Sequence, residues 1–167
     1  VLDQRLNVTV EFWFLTSNTT ARHNFVSAHT TQANEPNNRT DGDELNIGLN
    51  VGGTSFYTNP KSYVGTGGGY AYDAGRIVAD GQWHHVALVR NGSLGAEQMY
   101  LDGVALTRSG TASFTTDPIH TDAVVLGQDI DSTYGGYDST QATYGQLDEV
   151  RFWSVARSTQ EIAADRN

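Results

Sequence analysis

The sequence predicts an all-β fold, a two-sheet antiparallel jelly-roll sandwich closed by one short C-terminal helix. Three observations predict it. Short segments alternate apolar with polar residues, clusters of Gly, Asn, Asp and Ser divide them, and a helical start signal occurs only near the C-terminus.

The elements follow in order. Val8, Val10, Phe12 and Phe14 alternate with Thr9, Glu11 and Trp13, the period-2 pattern of a half-buried strand. Residues 45–51 and 83–90 read as further strands, the second apolar on both faces as a central strand would be. Residues 99–106 form a hairpin around Asp102-Gly103, because Asp-Gly favours the type I′ turn that matches strand twist. Residues 124–126 and 145–153 supply two more strands. Trp13, Trp83 and Trp153 lie in these strands and are expected in the core. Ser158-Thr159-Gln160-Glu161 is a capping box that opens a helix of about two turns, expected to act as a lid. Residues 30–43 and 128–143 read as long loops, which in a compact domain tend to be functional or disordered.

Composition narrows the function. The 167 residues suit one domain with a real core. Nineteen carboxylate side chains against 10 Lys and Arg give a net charge of −9, so nucleic acid and anionic membranes are poor partners. Cysteine is absent, which excludes disulfides and thiolate metal sites. No apolar run approaches the ~20 residues of a membrane span. The chain starts at Val1 without a visible leader, and we read 1–167 as one domain of a longer extracellular protein.

The stretch from Asp129 to Gln141 concentrates the chemistry. Asp129, Asp131 and Asp138 share one loop with Gln141, and Gly135-Gly136 lets the backbone reverse between them. Hard cations such as Ca²⁺ take roughly six to eight oxygens from carboxylates, amides and carbonyls. Asp41-Gly42-Asp43-Glu44 precedes a strand and could complete such a shell. The spacing alone leaves two readings open, a calcium loop and a solvated acidic loop. It is not that of an EF-hand.

The run Val124-Val125-Leu126-Gly127-Gln128-Asp129-Ile130-Asp131-Ser132, with Gly135-Gly136, Asp138, Gln141 and the closing strand from Gly145 to Trp153, resembles the calcium loop and following strand of pentraxins. Val10-Glu11-Phe12-Trp13-Phe14, Asp80-Gly81-Gln82-Trp83-His84-His85 and Tyr100-Leu101-Asp102-Gly103 are similar to phrases of the wider laminin-G-like, concanavalin A-like group. The likeness covers most of the chain. It implies Ca²⁺ ligation by Asp129, Asp131, Asp138 and Gln141, with the Ile130 carbonyl and Asp43 contributing and Asp41 as a possible addition. Two departures stand out: the pentraxin cysteine pair is absent, and Gly48 replaces the apolar residue that lines the phosphocholine pocket. Phosphocholine recognition is therefore not carried over.

Other residues have plainer readings. His84 and His85 are adjacent on a strand and point to opposite faces, which suits structural roles. By the same argument Asp148 and Glu149 diverge, whereas glycosidase carboxylates share a face ~5 Å apart; no enzyme activity is expected. Tyr134 and Tyr137, with Tyr144, flank the acidic loop, where rings could stack on a sugar or simply pack. The expectation is a non-catalytic, calcium-dependent, lectin-like module of a secreted or cell-surface protein such as an adhesin, with carbohydrate on a cell or matrix surface as ligand. The alternative is a structural or protein- and peptide-interaction domain in which calcium only stabilises the fold.

Overall fold

A computed structural model describes residues 2–30, 42–58, 70–109, 118–130 and 136–166, with side chains for all of these except 42–44 and 70. The strands are β1 (Asn7–Leu15), β2 (His23–Thr30), β3 (Gly42–Leu49), β4 (Ser55–Thr58), β5 (Tyr70–Asp73), β6 (Trp83–Asn91), β7 (Ala96–Leu101), β8 (Val104–Ala105), β9 (Thr107–Ser109), β10 (Ala123–Leu126) and β11 (Gln146–Trp153). Helix α1 (Thr159–Ala164) follows β11, with both halves of the predicted capping box formed. One sheet has the order β11-β1-β6-β7-β8 and the other β10-β2-β3-β4-β5-β9. All pairings within them are antiparallel. The predicted sandwich is what forms, and Asp102 and Gly103 take the positive φ angles of 49° and 79° that the hairpin turn requires.

The alternation in β1 explains the core. Val8, Val10, Phe12 and Phe14 point between the sheets and meet Phe25 of β2, Leu45, Ile47 and Leu49 of β3, and Phe56 of β4. The Phe14 ring lies 4.8 Å from Phe25 and 5.9 Å from Phe56. Burying each such side chain contributes roughly 2 kcal/mol. The opposite phase of β1 is less exposed than a half-buried strand implies, since Thr9 and Glu11 are also fully buried. The reason is α1, which lies over the outer face of the five-stranded sheet. Its Ile162 joins Ala87, Val89 and Tyr100 in a second small apolar cluster.

Beneath that helix Glu11 has an ionic partner. Arg157 reaches its carboxylate at 2.5 Å and Asp165 at 2.6 Å, and its guanidinium lies 4.3 Å from the Trp153 ring. The Arg157 amide bonds Thr9 Oγ1, which donates in turn to the Val155 carbonyl. His85 stands 3.5 Å from the other Glu11 oxygen, while His84 bonds Asp102 and Asp80. The two histidines thus serve different partners, as adjacent strand residues do.

Two expectations are corrected on this face. Trp13 and Trp153 are half-buried and Trp83 is 40% exposed, so the tryptophans lie outside the core. They occupy the outer phase of their strands, a phase that aromatic size alone does not reveal. Asp148 and Glu149 also fail to diverge. Glu11 pairs with Arg151 and Trp13 with Asp148, so β11 holds one extra residue, and Glu149 takes a left-handed φ of 49°. Leu147, Val150 and Phe152 all pack on the core, leaving Asp148 and Glu149 exposed together on the outer side.

A second buried carboxyl sits inside the sandwich. Glu97 of β7 accepts hydrogen bonds from Thr58 of β4 at 2.7 Å and Tyr72 of β5 at 3.0 Å. Burial pushes its pKa from 4.5 to about 7, against the pull of those two hydroxyls and of Arg90 and Arg108. A raised folded-state pKa means the neutral acid is preferred in the fold. Its stabilisation is fully present below pH 4.5 and is lost as pH rises through about 7.

At ~1.4 kcal/mol per pH unit of displacement, chemical denaturation should show stability falling by up to about 3 kcal/mol between pH 4.5 and 8 from this group. Glu97→Gln flattens that slope; an unchanged slope contradicts the assignment. Replacing Arg157 with Met strands Glu11 in the interior and should cost about 3–5 kcal/mol by urea midpoint. Adding Glu11→Leu to that variant recovers most of the loss.

Candidate calcium site

Strand β10 ends at Leu126, and Gly127 after it, with a φ of 75°, turns the chain away from the sheet. The Gly127 amide still bonds the Phe25 carbonyl at 2.9 Å, and the Gly127 carbonyl accepts from the Thr143 amide at 2.8 Å. A backbone hydrogen bond therefore closes the neck of the acidic loop. The returning limb is anchored further, for Thr143 Oγ1 donates to the Asn24 carbonyl at 2.6 Å. The Tyr144 amide donates to His23 Nδ1 at 3.2 Å, which assigns the ring hydrogen to Nε2, 2.9 Å from the Asn18 carbonyl.

On the outgoing limb Asp129 is 5% exposed. Its Oδ1 accepts from Asn46 Nδ2 at 2.8 Å, Ser27 Oγ at 3.1 Å and the Ile130 amide at 3.1 Å. Ser27 and Asn46 are register partners of β2 and β3, so this carboxylate clasps the outer side of the six-stranded sheet. Among the described residues no Lys or Arg forms an ion pair with it. Ile130 beside it is buried.

On the returning limb Asp138 is exposed and caps a 3-10 turn over Ser139–Gln141, accepting from the Thr140 amide at 2.8 Å. That backbone hydrogen bond holds its carboxyl below the usual range. Tyr137 is 58% exposed, and Tyr144 donates its hydroxyl to the Ser139 carbonyl. Among the described residues, Gln141 Oε1 is buried without a hydrogen-bond partner, as is Asn46 Oδ1. A buried, unsatisfied carbonyl oxygen costs about 1–3 kcal/mol, a cost that a cation would relieve. Carboxylate and amide oxygens together form the donor set of a hard cation, and the residues present fit Ca²⁺.

The described residues include only part of the sequence-predicted ligand set. Asp41, Asp131 and Tyr134 lie outside the described residues. Asp43 is in β3 opposite His29, and its side chain is likewise outside that set. Among the described residues no three carboxylate or imidazole groups cluster closely enough to hold an ion.

Sequence reasoning missed Ser27, Asn46 and His23, the residues that fix the loop to the sheet. The signal available was a polar residue in the outer phase of an apolar strand, as Asn46 is between Leu45 and Ile47. Gly48 has a definite cause as well. A Cβ there would lie 2.2 Å from the Tyr57 ring and 2.3 Å from the His23 carbonyl. Tyr57, its register partner on β4, fills that space beneath Arg22, 3.8 Å from the ring.

Comparisons agree with this architecture. Neuronal pentraxin-2 of Cavia porcellus is 33% identical over 88 residues, 52% of this chain and 20% of its own length. Human neuronal pentraxin-1 is 36% identical over 87 residues, with the same shares. The chain thus spans about one fifth of the curated relatives it matches. Among solved structures, the heptameric SAP-like pentraxin from Limulus polyphemus superposes with a TM-score of 0.77 at 17% identity, covering 99% of this chain and 72% of that one. The Ruminococcus gnavus IT-sialidase CBM40 bound to α2,3 sialyllactose gives 0.68 at 14% identity, covering 99% and 84%. These two likenesses show the fold. The concanavalin A-like lectin/glucanases superfamily matches residues 1–163, and the chain belongs to that family.

Proposed function

We propose that the domain is a non-catalytic, calcium-dependent carbohydrate-binding module of a secreted or cell-surface protein. The carboxylates of Asp129, Asp131 and Asp138, the amide oxygen of Gln141 and the Ile130 carbonyl hold the ion. Asp43 contributes from the β3 side, with Asp41 as a possible further ligand. The observation that carries this reading is the buried Gln141 Oε1, without a hydrogen-bond partner among the described residues, in a loop whose neck is already closed. A bound Ca²⁺ supplies an electropositive centre that vicinal sugar hydroxyls or a carboxylate can coordinate. Asp129 fixes the outgoing limb to the sheet, and Asp138 shapes the returning limb. The exposed Tyr137, with Tyr134, offers a ring for the apolar face of a pyranose. The CBM40 neighbour held sialyllactose, which supports a saccharide as the ligand class.

One observation favours a second reading. Asp129 is almost fully buried, so an ion at that end of the loop would serve the fold rather than a ligand. Exposed Asp138 and Tyr137 favour the first.

Calorimetric titration of chelator-stripped protein with Ca²⁺ should show saturable binding at about 10⁻⁴–10⁻³ M, the range of extracellular modules. Asp131→Ala, Asp138→Ala and Gln141→Ala should each weaken it at least tenfold. No saturable heat, with a melting temperature indifferent to chelation, refutes the site. Sialyllactose binding that appears with Ca²⁺ and vanishes in Asp138→Ala separates ligand recognition from mere stabilisation of the fold.

A further inference from the structure

We infer that the outer face of the five-stranded sheet carries a second, calcium-independent site for a neutral saccharide, in the cleft between Trp13, Trp83 and the Asp148–Glu149 bulge. This site lies on the sheet opposite the acidic loop and does not depend on the calcium reading.

Helix α1 covers only part of this face. Ile162 and Ala156 pack on Ala87, Val89 and Tyr100, and past the helix end the sheet stays open as a cavity of about 400 Å³. That size falls in the range of small-ligand pockets. Trp13 and Trp83 form one side, Asp148, Glu149 and Arg151 the second, and Asp165 and Arg166 at the end of α1 the third.

The strand register sets the aromatic surface. Trp13 of β1 pairs with Asp148 on one side and His85 on the other, and Trp83 precedes His85 by two positions on β6. The two indoles are diagonal neighbours on adjacent strands, a spacing large rings can bridge. The Trp13 ring packs beside its register partner, the buried His85, at 5.4 Å. Trp83 leaves 40% of its surface in water. Indole rings held open beside polar groups provide the stacking surface that the C–H face of a pyranose fits.

The polar groups decide which ligand suits the cleft. Glu149 is paired with Arg151, and Asp165 with Arg157. Arg166 donates to the Asp102 carbonyl. Three carboxylates face two arginines across the cleft, a near balance with a slight negative excess that disfavours an anionic ligand. Asp148 accepts only from the neighbouring Glu149 amide among the described residues, leaving acceptor capacity for hydroxyls. Guanidinium N–H groups of Arg151 and Arg166 supply donors on the facing walls. An uncharged ring with many hydroxyls and apolar C–H faces meets all of these demands, and a cation meets only the aromatic and carboxylate ones.

The test is titration of the chain in EDTA with cellohexaose, xylohexaose and chitohexaose, followed by calorimetry and tryptophan fluorescence. Tetramethylammonium serves as the cationic comparison. Saturable binding of at least one oligosaccharide, with a fluorescence shift, is expected. Trp83→Ala should weaken it at least tenfold and Asp148→Ala about fivefold, while Trp83→Phe retains most of it and Asp138→Ala leaves it unchanged. Trp83→Phe and Asp148→Ala carry the test if Trp83→Ala lowers the melting temperature sharply. No saturable binding of any oligosaccharide in EDTA overturns the inference. So does binding that both Trp83→Ala and Asp148→Ala leave intact, or preferential binding of tetramethylammonium.

Discussion

The carboxylate of Asp129, buried against Ser27 and Asn46, is the fixed point on which the candidate site depends. A buried carboxylate is tolerated only where hydrogen-bond donors surround it, and here one side chain from β2, one from β3 and a backbone amide do so. That contact joins the end of β10 to the middle of the six-stranded sheet. With the Gly127–Thr143 bond and the His23–Tyr144 bond, it determines where the loop leaves and where it returns. Between these anchors lie the exposed Asp138 and Tyr137.

The same constraint, polar groups held beneath a cover, operates on the opposite sheet in different chemistry. There Glu11 is enclosed by α1 and matched by Arg157, an arrangement built from ions within the chain. On the six-stranded sheet the corresponding layer is oxygen-rich, and two amide oxygens, of Asn46 and Gln141, have no hydrogen-bond partner among the described residues. One face thus meets its buried carboxylate with an arginine of the same chain, whereas the other meets Asp129 with neutral donors. A buried carboxylate with no Lys or Arg partner among the described residues accords with a net charge of −9 and with a cation as its counter-charge.

Much of the fold was legible because it rests on local rules. Period-2 alternation located the core phase of β1, Asp102-Gly103 located the hairpin, and Ser158 with Glu161 located the helix start. The misplacements share one cause: the burial of an outer face depends on what crosses it later in the chain. Trp13 looked like core because it is large, yet it shares a phase with Glu11. Asp148 and Glu149 looked divergent because strict alternation was assumed, and a bulge with one left-handed residue undoes that assumption. Ser27 and Asn46 were invisible because their value lies in cross-strand register with each other and with Asp129, more than 80 residues away from Asn46. The ligand set at Asp41, Asp43 and Asp131 came from a resemblance, and the described geometry neither assembles nor disperses it.

The central claim is that a cation joins the two limbs of the acidic loop, and amide hydrogen exchange across residues 128–143 tests it most directly. With Ca²⁺ added to chelator-stripped protein, exchange at the Thr140 and Gln141 amides should slow at least tenfold. Those two amides bond only within the local turn at Asp138, whereas the Thr143 amide bonds across the anchored neck to Gly127 and should change little. Identical exchange throughout the loop with Ca²⁺ and with chelator would contradict the account.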